Sequence, residues 1–178
     1  LVVMTILSGV VYPAIVTGIG QLLWANKSNG SLIKKGDEIV GSTLIAQEFK
    51  KPEYFWPRPS ASNFNAMPPG ASNLGPTSAA LAKSIVSRRS ELAKAHDVAE
   101  TDIPMDLLTA SASGLDPHIS LESAKLQINR IIEARRLNEE AKAKIEKLID
   151  AHVENQQLGI LGEERLNVLK LNLALDGL

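Results

Sequence analysis

The sequence predicts an α+β protein: one N-terminal transmembrane helix followed by a small soluble α+β domain. Three observations carry that reading. Residues 1–26 hold no charged side chain, and all 19 Lys and Arg and all 20 Asp and Glu lie between Lys27 and Asp176. Six of the nine prolines crowd into residues 52–76. Beyond them, helix-spaced apolar residues run between short strand-like stretches at either end of the soluble part.

Residues 1–25 form the expected transmembrane helix, from Leu1 through Trp24. At 1.5 Å per residue such a segment crosses a hydrocarbon core of about 30 Å. Thr5, Ser8 and Thr17 can bond back to the helix, and Trp24 stands where an interfacial aromatic belongs. Thr5, Gly9, Pro13 and Thr17 recur every four residues, with Ala14 and Gly18 at the same spacing. Small residues so placed let a second helix approach closely, so this face is expected to pack on another membrane protein. Pro13 removes one intrahelical bond and predicts a kink. The chain begins at Leu1, and a short basic leader is expected ahead of it.

Residues 26–31 read as a juxtamembrane linker and residues 32–178 as the soluble α+β domain. Leu32-Ile33, a Lys-Lys-Gly-Asp turn, Ile39-Val40 and Leu44-Ile45 suggest short strands. The proline-rich stretch 52–76 excludes a helix or central strand and reads as a long structured loop. Its aromatics pin it either to the core or to a partner. Thr77 or Ser78 caps a helix carrying Leu81, Ile85, Arg88 and Leu92, which ends near His96. Pro104 restarts the chain before Leu107-Leu108. Ser120 opens a helix with the stripe Leu121, Ala124, Ile128, Ile131 and Ile132. Gln127, Arg130 and Arg135 lie off that stripe and read as a solvated face. Asn138 opens another helix, with Ala141, Ile145, Leu148, Ile149 and Val153 on one side. Gly159 and Gly162 break the chain, and the alternation of Leu169, Leu171 and Leu173 suggests a closing strand. There is no internal repeat.

Composition narrows the function classes. The net charge of -1 argues against nucleic acid as a partner, and residues 65–178 contain no aromatic for base stacking. The chain has no cysteine, which excludes thiol catalysis and thiolate metal sites. No phosphate loop, nucleophile elbow or His-Glu-x-x-His is present, and none of the seven Asp begins an Asp-Lys-Thr-Gly run. Catalytic and metal residues are therefore expected to be none, and no cofactor is expected to be tightly bound. His96, His118 and His152 read as surface histidines near helix ends. The stretch Thr109–His118 invites a Ser111, Asp116, His118 triad. Its plainer reading is a packing loop in which Gly114 permits a turn and Asp116 caps or stabilises the coming helix terminus.

Six motifs carry a family resemblance. They are Gly-Ser-Leu-Ile at 30–33, Gly-Ser-x-Leu-Ile-Ala-Gln-x-Phe at 41–49 and Tyr-Phe-x-x-Arg-Pro-Ser-Ala at 54–61. Ser-Asn-Leu-Gly-Pro at 72–76, Thr-Ala-Ser-Ala-Ser-Gly-Leu-Asp at 109–116 and Leu-Asn-Leu-Ala-Leu-Asp at 171–176 follow. With these the chain resembles, essentially end to end, the C subunit of the Kdp potassium-transporting P-type ATPase. Gly162-Glu163-Glu164-Arg165-Leu166 departs where relatives usually carry a proline and a valine, which bears on local strand geometry.

The resemblance implies a non-catalytic subunit of a high-affinity potassium-uptake complex in the cell membrane of a bacterium or archaeon. Its implied partners are the pump subunit, which hydrolyses ATP, and a channel-like subunit that passes potassium. It also implies an assembly role and a catalytic-chaperone role that raises ATP affinity at the pump subunit, so that ATP is met through that partner. Within this reading Gln127 is the expected nucleotide-contacting residue, and Ser111, Ser113, Gly114 and Asp116 form the family's motif loop. The soluble domain is expected outside the cytoplasm. Two other readings stay open: a membrane-anchored extracytoplasmic binding module, and an anchored serine hydrolase.

Overall fold

The computed structural model describes residues 1–68 and 70–178, and of Glu139 the backbone alone. Of the six clustered prolines, Pro69 lies outside the described residues. The chain divides into two compact units, Leu1–Leu44 and Ile45–Leu178. With helices and two small antiparallel sheets, the architecture is α+β as predicted.

In the first unit, helix α1 (Val2–Ser28) is long and apolar enough to cross a membrane, and none of its apolar stretch is buried. It runs beyond the predicted end of the span, into the expected linker. The disturbance expected from Pro13 takes the form of a π-helical turn at Leu7–Val11. Pro13 has no N–H to give the preceding turn, and a π-turn is one way a helix re-forms its ladder around that gap. A second break falls at Trp24, whose φ of -140° and ψ of 48° are not helical. Strands β1 (Leu32–Lys35) and β2 (Glu38–Ser42) pair antiparallel, with a bulge between Ile33 and Lys34. Leu44-Ile45, predicted as strand, follows β2 as turn and bend.

In the second unit, Ser78 caps helix α2 (Ala79–His96) by accepting from Leu81 N, and Asp97 closes it in the left-handed conformation. Short helix α3 (Met105–Leu108) buries Leu107 and Leu108. The single helix expected after Ser120 is two, α4 (Leu121–Leu126) and α5 (Ile128–Arg135), with Gln127 between them. Helix α6 (Glu139–His152) is capped by Asn138, as the sequence suggests. A three-stranded antiparallel sheet joins β3 (His118–Ile119), β4 (Val153–Glu154) and β5 (Arg165–Asn167), with β5 in the middle.

The expected closing strand is a helix, α7 (Val168–Leu175). Leu169, Leu171 and Leu173 fit a period of two, but Val168, Leu171, Asn172 and Leu175 fit the helical period equally, and these four are buried. Asn167 decides the matter by capping the helix: its Oδ1 accepts from Lys170 N at 3.1 Å. The strand sits just before it, and Gly162–Leu166, despite its departure from the family pattern, supplies the start of β5. The core gathers Phe55, Leu108, Ile119, Ile131, Ile145, Ile149, Leu166, Leu171 and Leu175.

Candidate functional site

The proline-rich loop poses a physical problem. Residues 52–59 form no helix or strand, so their backbone groups need partners from elsewhere. Two side-chain amides supply them by imitating the edge of a β-strand. Phe55 N donates to Asn172 Oδ1 at 2.8 Å, and Asn172 Nδ2 donates to Phe55 O at 3.0 Å. One residue on, Trp56 N donates to Gln127 Oε1 at 2.7 Å, and Gln127 Nε2 donates to Trp56 O at 3.2 Å. The phenyl ring of Phe55 is fully buried, so of the two readings left open for the aromatics, the core holds this one.

Arginines complete the clamp. Arg130 donates to Pro52 O, to Tyr54 O at 2.9 Å and to Gln127 Oε1 at 2.7 Å. Its guanidinium lies over the Trp56 ring, 3.9 Å from the centroid, a cation–π contact in a desolvated setting. Arg135 donates to Glu53 O and Leu175 O and pairs with Asp176 at 2.7 Å. The polar strip predicted as solvated is therefore largely interior: Gln127 is 0% and Arg130 7% exposed. Crossing the loop over the junction of α4 and α5 buries it. A proline-rich loop that cannot satisfy itself, in a chain offering Gln and Arg one helical turn apart, was the available signal.

His96 is a second correction. It is buried, not on the surface, and stacks at a tilt on Trp56 with centroids 5.5 Å apart. Arg130 Nε donates to its Nδ1 at 3.4 Å, while its Nε2 has no partner among the described residues. Burial, and then the neighbouring Arg130 charge, push its pKa down to about 4, so it is neutral at pH 7. Burial also lowers Arg130 to about 10, which leaves it charged.

The motif loop at 109–116 docks against the same proline-rich segment. Ser111 is buried, and its N donates to Pro59 O. Ser60 Oγ donates to Gly114 O at 2.6 Å, and Arg58 pairs with Asp116 at 2.9 Å. Gly114 has φ of 69°, and a Cβ there would stand 2.6 Å from Ser62 Oγ and 2.8 Å from Gly70 O. Glycine is required both for the conformation and for the fit. Ser113 Oγ accepts from Leu115 N, an internal turn. Asp116 Oδ1 accepts from His118 N and faces His118 Nδ1 at 3.2 Å. It thus braces the start of β3; the helix beginning at Leu121 is capped by Ser120 instead.

The triad does not assemble in the order catalysis needs. His118 Nε2, the atom that would take a proton from serine, faces Glu154 Oε2 at 3.7 Å. Ser111 Oγ instead accepts from Asp116 N at 3.5 Å. Burial works to raise the Asp116 pKa, but the hydrogen bonds from His118 and the Arg58 charge outweigh it and hold the carboxyl below its ordinary value. Glu154 is lowered likewise: Lys170, His118 and Arg165 together outweigh burial. A cleft of about 350 Å³ opens here, lined by Arg58, Asp106, Asp116, His118, Ser120 and Arg165 among others. Arg58, Asp116 and His118 are engaged with one another there, while Glu163 and Glu164, which also line the cleft, form no ion pair among the described residues. Among the described residues no group of His, Asp and Glu could hold a metal ion.

The predicted packing face lies elsewhere. Thr5, Gly9, Pro13 and Thr17 are exposed on α1, and a Cβ on Gly9 or Gly18 would meet nothing within 4 Å.

Comparison with known proteins concerns the chain as a whole. The family described as KdpC, the c chain of the K+-transporting ATPase, matches residues 1–177. A protein of Geobacter sulfurreducens named "Potassium-transporting ATPase KdpC subunit" is 51% identical across all of this chain and 94% of its own length. Proteins of the same name from Serratia proteamaculans and Polynucleobacter asymbioticus are 49% and 44% identical, over 100% and 99% of this chain and 94% and 93% of their own.

Proposed function

The chain belongs to the KdpC family, the c chain of the K+-transporting ATPase, and from that premise we propose that it is the subunit that assembles and stabilises the pump and channel-like subunits. It is an accessory subunit of a potassium-transporting ATPase, and the chemistry of ATP hydrolysis belongs to another polypeptide. Helix α1 anchors it in the membrane, with the face of Thr5, Gly9, Pro13 and Thr17 against a partner helix.

The observation that carries this reading is the clamp of Gln127, Arg130, Arg135 and Asn172 on residues 52–56. The chain's strongest polar groups are spent on holding its own loop, as in a rigid scaffold. The motif loop of Ser111, Ser113, Gly114 and Asp116 serves the same end by bracing residues 58–60.

The catalytic-chaperone role is part of the proposal. Both ends of the Gln127 amide are engaged, so direct contact with ATP requires the Trp56 clamp to open. We therefore place the soluble domain, residues 32–178, outside the cytoplasm and have the effect on ATP affinity travel as a bias on a conformational equilibrium shared with the pump. Detergent extraction tests the assembly role: the chain should co-purify in fixed ratio with a pump and a channel-like subunit, and should hydrolyse no ATP when isolated. Protease applied to sealed right-side-out vesicles tests the sidedness. Digestion of residues 45–178 with a cytoplasmic marker intact supports it; cleavage in inverted vesicles alone reverses it and returns Gln127 to direct nucleotide contact.

A further inference from the structure

The hairpin between β4 and β5 presents its apolar side chains outward. Leu158 is 90%, Ile160 81% and Leu161 58% exposed. The hairpin is firmly built. Gln157 N donates to Leu161 O at 2.8 Å, and Leu161 N donates back to Gln157 O at 2.9 Å. Its root is fixed by Glu154, which pairs with Arg165 at 3.3 Å and with Lys170 at 2.9 Å. Leu158 itself stands at φ of 56°, a left-handed conformation where leucine is disfavoured and glycine or asparagine would be at ease. A bulky aliphatic is thus held, against its backbone preference, at the tip of an ordered turn in water.

Charge says what kind of surface covers it. Residues 155–164 contain two carboxylates, Glu163 and Glu164, and no lysine or arginine. Both are exposed, and neither forms an ion pair among the described residues. An anionic lipid surface repels such a segment, since peripheral membrane contacts use basic flanks. An apolar centre with a polar and acidic margin has instead the anatomy of a protein contact, in which a few desolvated anchors are ringed by polar groups. We infer that Leu158, Ile160 and Leu161 form an anchor that inserts into an apolar pocket, edged by Lys or Arg side chains, on another subunit of the potassium-transporting complex. The inference rests on the assembly reading given above and adds the surface and the chemistry of the partner.

Site-specific photo-crosslinking in the intact complex tests it. Benzoylphenylalanine replacing Ile160 in the full chain, co-expressed with the other subunits and irradiated in membranes, should give an adduct with one polypeptide of the complex. The same probe replacing Lys144, on the exposed side of α6, should give none. Glu163→Lys with Glu164→Lys should lower the adduct yield severalfold. Leu158→Ser, Ile160→Ser and Leu161→Ser combined should weaken retention of the chain about tenfold or more on detergent washing, as loss of interface anchors does, with its urea midpoint unchanged. An adduct with lipid, an adduct with a second copy of this chain, or no adduct in a complex that still co-purifies would each overturn the inference while leaving the assembly reading intact. If the wild-type chain co-purifies with no partner, the assembly reading itself falls and takes the anchor with it.

Discussion

Gly9 and Gly114 mark two regions that use the same residue for opposite ends. At Gly114 a side chain would strike Ser62 and the backbone of Gly70, and the backbone is left-handed. At Gly9 the backbone is helical and, its own helix backbone aside, no described residue lies within 4 Å of where a Cβ would be. One glycine is filled by the molecule's own loops; the other is open. The interlocked loops of residues 52–62 and 109–116 look inward and hold one another. The faces of α1 and of the β4–β5 turn are exposed, and they are the surfaces proposed above to meet other subunits.

Four changes break or sharpen that contrast. Arg130→Ala should hit the inward region hardest, because it leaves Pro52 O and Tyr54 O without their donor and removes the contact with Trp56; a loss of about 3–5 kcal/mol is expected for two buried acceptors left unpaired together with a lost cation–π contact. Urea unfolding of the full chain in detergent, followed by tryptophan fluorescence, measures it. Little change in midpoint would show that the clamp is ornamental.

Acid should loosen the same region. The folded-state pKa of His96 is about 4, against an ordinary 6.5. Between those values the unfolded chain takes up a proton that the folded chain refuses. Stability from this group is complete above about pH 6.5 and declines as pH falls towards 4, by up to about 3 kcal/mol. His96→Gln should flatten that slope. The lowered pKa values of Asp116 and Glu154 add a further loss at lower pH, as each carboxylate is protonated.

Gly114→Ala should cost about 2–3 kcal/mol through left-handed strain and overpacking. Gly9→Leu should leave the urea midpoint and membrane insertion untouched and weaken recovery of the complex about tenfold, the loss of one close helix contact. If Gly9→Leu recovered the complex in full, the open face would be no interface. If Gly114→Ala were silent, the two glycines would not differ as described.

Much of this was legible in the sequence. The uncharged span, the caps at Ser78, Ser120 and Asn138, and the buried stripe of Ala124, Ile128 and Ile131 all follow from local pattern. What misled was long-range. The run 168–175 satisfies both a strand and a helix period, and only the Asn167 cap and tertiary packing select the helix. Gln127 and Arg130 look like surface residues because their loop partners lie 71–78 positions away, in a segment with no pattern of its own, and His96 because Arg130, 34 positions on, reaches back to it. Propensity sees neighbours along the chain, not a loop folded across a helix junction.

The paired amides of Gln127 and Asn172 have a consequence in time as well as in space. Neighbouring residues of an extended chain turn their N–H groups to opposite sides, so Phe55 is gripped by α7 and Trp56 by the α4–α5 junction. The loop cannot slide without breaking both grips, and neither N–H reaches water while both helices stay in place. Hydrogen exchange at Phe55 and Trp56 should therefore be as slow as in the core helices, opening only when the whole of residues 45–178 unfolds. A segment with no regular secondary structure would then keep the same clock as the core.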